Sequence, residues 1–226
     1  MIFLNSNSCY NFRHIPRTGG RFIVESLVQS GVLPYFPLEH QTAIFEGKQL
    51  MHLTKVEEKR LLDPLDLPVQ QAFSVVRSPV DRFVSAYAEF LGYLGLYNIS
   101  LRQVEDYEVF KYLMKEQLFF SLQSTTGHSW QFAFRGLEEA PSNWWKPQHE
   151  YTDKTTKIWR YEDSLGAPFE SWVREEVGVS NFKLTKEGGY SKSGFDNHSS
   201  KSAVPPAVLK NVERYYKKDV ELFTKN

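Results

Sequence analysis

Apolar and polar positions along this chain mark short strands that each lead into an amphipathic helix. Tyr10, Phe12 and Ile15 approach Pro16 and the pair Gly19-Gly20. Phe22-Ile23-Val24-Glu25-Ser26-Leu27-Val28 follows with helical spacing. The pattern predicts a strand, a tight turn, and a helix that Gly31 stops at its C′ position. Residues 72–76 (Ala72-Phe73-Ser74-Val75-Val76) form an apolar run of the kind buried in a parallel sheet. After it, Ser78 is a natural N-cap, Pro79 suits the first helical position, and Asp81 completes a capping-box-like start. Residues 55–62 predict a brief exposed helix that ends before Pro64, and residues 104–123 a longer one carrying Phe110, Leu113, Met114 and Leu118. A short strand is expected at 157–163 and a helix covering the sheet at 169–177. A terminal helix at 205–223 would bury Leu209, Val212, Tyr216, Val220 and Phe223.

The first strand–turn–helix has the chemistry of an anion site. Free N–H groups at a helix start point outward, and the helix dipole favours negative charge. Gly19 and Gly20 permit close backbone approach, Thr18 can add a hydroxyl donor, and Arg17 and Arg21 add fixed positive charge. The loop is not a Walker A motif, because no Lys-Ser/Thr follows its glycines. In the second unit Arg77 falls at the carboxyl end of a strand, the edge where open α/β sheets bind ligands. Ser85 lies two helical turns further on and can face the same way, so Arg77 and Ser85 can grip a second phosphate.

The pair HIPRTGG and VVRSPVDRFVSAY closely resembles the two signature motifs of sulfotransferases that use 3′-phosphoadenosine 5′-phosphosulfate (PAPS). The nearest look is to the carbohydrate enzymes of the heparan sulfate 2-O and 6-O type. The resemblance implies one domain over residues 1–226. Its fold would be P-loop NTPase-like, a three-layer α/β/α arrangement with a central, mainly parallel sheet. It implies that Arg17, Thr18, Gly19, Gly20, Arg21 and Phe22 cradle the 5′-phosphosulfate, and that Arg77 and Ser85 bind the 3′-phosphate. The family carries Lys where this chain has Arg17, which keeps the charge but changes reach and geometry. His52, in an H-x-[ST] setting, matches the family's general base. A neutral imidazole near its usual pKa suits that task, and a structural histidine at a strand end is the alternative. His40 and Glu39 are the reserves, and His40 is also a candidate acceptor contact.

Trp144 and Trp145 can stack on a sugar or on adenine, or pack beneath a loop. The segment from Trp145 to Gln148 resembles the family's W-x-P-Q turn near the acceptor cleft. The following Arg160-Tyr161-Glu162 resembles its RYE strand, with Arg160 and Glu162 read as a structural ion pair. In the Gly-, Ser- and Lys-rich stretch at 184–204, the family places a lid over the 3′-phosphate, which nominates Ser199 and Lys201. The expected activity is in-line sulfuryl transfer from PAPS to an acceptor hydroxyl on a carbohydrate, leaving adenosine 3′,5′-bisphosphate (PAP), with no metal.

Composition narrows the partners. Lys plus Arg is 27 and Asp plus Glu is 27, with no long like-charge run, so a broad nucleic-acid footprint is not expected. The single Cys9 excludes an intrachain disulfide. No stretch has the form of a signal peptide or a membrane span, so a soluble cytoplasmic protein of bacterial or phage type is expected. Two other functions fit parts of the pattern. One is a P-loop-like small-molecule kinase, against which the missing Walker Lys counts. The other is an inactive nucleotide- or glycan-binding module, which Arg17 in place of Lys leaves open.

Overall fold

The computed structural model describes residues 1–5, 8–36, 44–45, 48–67, 69, 71–94, 105–115, 143, 145–185 and 204–225. The candidates His40, Trp144, Ser199 and Lys201, and the helical expectation beyond residue 115, lie outside them.

A five-stranded sheet has the order β3-β1-β2-β6-β7, from β1 (Ile2–Asn5), β2 (Ser8–Phe12), β3 (Leu33–Pro34), β6 (Gln71–Val76) and β7 (Lys157–Arg160). Strands β2, β6 and β7 run parallel, and β1 is antiparallel to both β2 and β3. Two further two-residue strands, β4 (Ile44–Phe45) and β5 (Lys48–Gln49), form a separate antiparallel pair.

Register sorts the side chains by face, because successive residues of a strand point to opposite sides. Phe3, Tyr10, Phe12, Phe73, Val75 and Trp159 share one face. It is packed by Ile23, Val24 and Leu27 of α1 (Gly20–Gln29) and by Phe169 of α5 (Ala167–Trp172), which runs on as a π-helical turn over Val173–Val177. The opposite face carries Asn11, Val76 and Ile158. It meets Glu58 of α2 (Lys55–Leu62), together with Tyr151 and Leu222 and Phe223 of α7 (Lys217–Lys225). Helices therefore lie on both faces of a mixed α/β sheet. Helix α3 (Pro79–Leu94) follows β6 directly, and its Phe83 packs on Phe110 of α4 (Tyr107–Lys115) and on Trp145.

The expected helices at 55–62 and 169–177 form, and α1 ends at Ser30 with Gly31 at φ 76°. Three expectations change. The strand expected at 157–163 ends at Arg160, and Tyr161–Asp163 form a 3-10 turn. Helix α2 is not simply exposed: Glu57 accepts the Thr54 N–H (2.8 Å) and Glu58 accepts Asn11 Nδ2 (2.7 Å), both carboxylates being buried. The terminal helix is two, α6 (Pro206–Tyr215) and α7, broken at Tyr216. The buried Tyr216 hydroxyl donates to the Trp145 carbonyl (2.6 Å), and its own carbonyl accepts the Asp219 and Val220 N–H groups. The break aims Asp219 inward, where it is fully buried.

Candidate functional site

The carboxyl ends of β2, β6 and β7 lie side by side, and the chain leaving each one contributes to a single cluster. From β2 comes the loop at 13–19, from β6 Arg77 and α3, and from β7 Tyr161. The loop is shaped from within. Thr18 is fully buried and its hydroxyl donates to the Ile15 carbonyl (2.8 Å). Arg17 and Gly19 take left-handed backbone angles, φ 70° and 84°. A side chain at Gly19 would collide with Leu165 Cδ1, 2.5 Å from an ideal Cβ, and press on Tyr161. At Gly20, the first residue of α1, an ideal Cβ would fall 1.8 Å from His14 Nε2, so the imidazole occupies the space glycine leaves.

Three side chains of α3 and its entry clasp this loop. Arg17 Nε and Nη2 donate to Ser85 Oγ (3.2 and 3.1 Å), joining the two motifs. Arg77 Nη1 donates to the Arg17 carbonyl (3.3 Å), and its guanidinium lies 4.6 Å above the Tyr161 ring, a cation–π contact. Buried Arg82 donates through Nε to the Pro16 carbonyl (3.0 Å). The result places the guanidinium groups of Arg17 and Arg77 and the hydroxyl of Ser85 around one glycine loop at a helix N-terminus. Such a set can bind a phosphate-like dianion through charge-assisted hydrogen bonds.

The backbone of Arg77 is held in turn. Gln148, fully buried, accepts the Arg77 N–H through Oε1 (2.9 Å) and donates Nε2 to the Arg77 carbonyl (2.7 Å). Asp219 of α7 accepts the Gln148 N–H (2.6 Å), the His149 N–H (3.0 Å) and a bond with His149 Nδ1 (2.7 Å). At the start of α3, Glu162 accepts the Ser78 N–H (2.8 Å), a favourable place for a carboxylate.

Of the residues singled out from sequence, Arg17, Thr18, Gly19, Gly20, Arg77 and Ser85 come together. Arg21 and Phe22 sit on the first turn of α1, exposed and half-buried. Four expectations are revised. Thr18 commits its hydroxyl to the turn, so it shapes the loop instead of donating to a ligand. His52 is buried, with its ring edge-on to His14 at 4.9 Å between centroids. Burial, then the neighbouring His14 and the positive charges of Arg21 and Arg82, hold its pKa well below the ordinary value. It is therefore a neutral but weak base, not one near its usual pKa. Trp145 is 1% exposed and packs against Phe83 at 5.6 Å between centroids, so it offers no face to a sugar. Arg160 pairs with Asp163 (2.8 and 2.9 Å), not with Glu162.

Sequence reasoning did not single out His14, Arg82, Gln148, Tyr161 or Asp219 as parts of the site. His14, Arg82, Gln148 and Tyr161 lie inside motifs already noted, while Asp219 belongs to a Y-Y-x-x-D-x-x-L-F ending that marks the terminal helix but no role at the site. His14 is buried and its Nδ1 has no hydrogen-bond partner among the described residues; burial first, then the N-terminal amine, Arg21 and Arg17, pull its pKa down to about 3.

Comparison with family models, curated proteins and solved structures gives no significant match. Among the described residues no helix is long and apolar enough to cross a membrane, and no cluster of three metal-ligating side chains occurs.

Proposed function

We propose that this chain is a sulfotransferase that moves a sulfuryl group from PAPS to an acceptor hydroxyl, on a carbohydrate by resemblance, within a P-loop-like α/β/α fold. The observation that carries this is the meeting of Arg17, Arg77 and Ser85 over a glycine loop at the carboxyl ends of parallel strands. Arg17 and Ser85, one from each motif, are 68 residues apart in sequence, so the meeting is a property of the fold. In this function the loop N–H groups and Arg17 hold the phosphosulfate and stabilise negative charge on the departing phosphate. Arg77 and Ser85 hold the 3′-phosphate. Bond exchange at sulfur is in line, and its rate depends on fixing both partners in a water-poor site.

The test is a thermal-shift titration with PAP, ATP and AMP on the wild type and on Arg77→Ala. At a hundredfold excess over Kd, a ligand stabilises by about 2.7 kcal/mol, which raises Tm by roughly 5–10 °C in a chain of this size. Selective stabilisation by PAP, lost in Arg77→Ala, is expected; no response to PAP, or an equal response to ATP, overturns the assignment. A nucleotide-binding module without transfer is the second reading. The burial of His52, the expected base, favours it.

A further inference from the structure

Any transfer to a hydroxyl needs a group that meets the acceptor and takes its proton. His14 and His52 are 5% and 6% exposed. Among the described histidines, His149 alone is partly open, with 33% of its side chain accessible. Its ring is also oriented. Nδ1 lies 2.7 Å from Oδ1 of Asp219, and that carboxylate is fully buried and held by the N–H groups of Gln148 and His149. A carboxylate accepts but cannot donate, so Nδ1 carries the hydrogen and the lone pair of a neutral ring is on Nε2. A buried carboxylate orienting an accessible imidazole in this way is the base–orienter half of many acid–base sites. Gln148 ties the dyad to the Arg17–Arg77–Ser85 cluster: its N–H donates to Asp219, and its side chain grips both backbone groups of Arg77. The other charged groups on this turn, Lys146 and Glu150, pair with each other.

We propose that His149, oriented by Asp219, is the general base of the transfer, a step that rests on the sulfotransferase function proposed above. The acceptor oxygen forms a bond to sulfur while its proton passes to Nε2 of His149. The bond from sulfur to the bridging oxygen breaks, and its electron pair leaves on the 5′-phosphate of PAP. Asp219 stabilises the imidazolium until the proton is lost to water. The products are a sulfate monoester and PAP, and no oxidant or further reactant is required.

The experiment compares wild type, His149→Gln and His149→Gly for labelled sulfuryl transfer from PAPS to desulfated heparin and chondroitin chains. PAP affinity and Tm are measured on the same samples. The expected result is a loss of about 10²-fold or more in kcat for both variants. PAP affinity should stay within about twofold of wild type, and added imidazole should restore part of the rate of His149→Gly. A kcat within about threefold of wild type overturns the assignment while leaving the sulfotransferase function standing. Parallel loss of PAP affinity and kcat also overturns it, because His149 would then act only by bracing Gln148 and Arg77. A wild type that binds PAP but transfers to neither chain nor water overturns it too. A wild type that binds no PAP overturns both proposals together.

Discussion

The closest contact at the glycine loop sets up a sharp test, Gly20→Ala. An ideal Cβ at residue 20 would stand 1.8 Å from His14 Nε2 and 1.9 Å from Cδ2. Ordinary contact begins near 3.4 Å, so the ring must withdraw by about 1.6 Å to keep normal van der Waals separation. It has little room. Phe12 stacks beneath it at 5.7 Å between centroids and 13° between planes, and His52 closes its edge. Overpacking of a filled core costs about 1–3 kcal/mol. Alanine's better helix propensity returns at most about 1 kcal/mol, and less in the first turn. The net expectation is a loss of about 1–2 kcal/mol, a fall in Tm of roughly 2–8 °C for a chain of this length. Urea unfolding of wild type, Gly20→Ala, His14→Ala and the double variant isolates the contact. Removing the imidazole abolishes the clash, so the double variant should be more stable than the sum of the single losses by about 1–3 kcal/mol. A Gly20→Ala protein as stable as wild type, or a cycle additive within about 0.5 kcal/mol, refutes the packing argument.

Asp219→Ala leaves three donors without their acceptor, and Tm should fall by roughly 6–20 °C from about 3–5 kcal/mol of lost stability; a shift under 2 °C would show that water or another group replaces the carboxylate. His14 and His52 both have folded-state pKa values below the ordinary 6.5, so the unfolded chain binds protons first as pH falls. Stability from their neutral burial is whole above about pH 6.5 and is lost as pH drops from there toward about 3 for His14, at up to about 1.4 kcal/mol per pH unit per histidine. Urea unfolding between pH 7.5 and 5 should show this slope, and His14→Gln should flatten it; an unchanged slope counts against the burial argument. Trp145→Phe should lower Tm while leaving the acceptor KM within about twofold, whereas a large rise in KM at unchanged stability would restore a sugar-stacking role.

The parts of the site legible in sequence are those whose chemistry is written locally. A glycine turn between an apolar strand and a helix predicted the loop, and Ser-Pro-x-Asp after a buried strand predicted Arg77 at the start of α3. His52 and Trp145 show where local reasoning fails. Residue type suggested a base and a stacking ring, but burial decides both, and burial depends on chains far away in sequence. Asp219 shows the reverse. The Y-Y-x-x-D-x-x-L-F ending around it marks a terminal helix and not a functional carboxylate, because its meaning comes from the break at Tyr216 that turns α7 inward toward Gln148. The apolar spacing at 205–223 continues through that break, so periodicity alone read one helix.

The tie from α7 to the phosphate cluster also bears on when the site can exist. Arg77 is clamped by Gln148, and Gln148 by Asp219, each link closing a separation of 71 residues. Contacts of that span pay their loop-closure entropy before they return any stabilisation, and they form late. Only the turn closed by Thr18 on Ile15 is local, so the grip on Arg77 waits on segments far along the chain, α7 among them. Under the function proposed above, ligand capture then reports on the docking of α7 as well as on the loop itself.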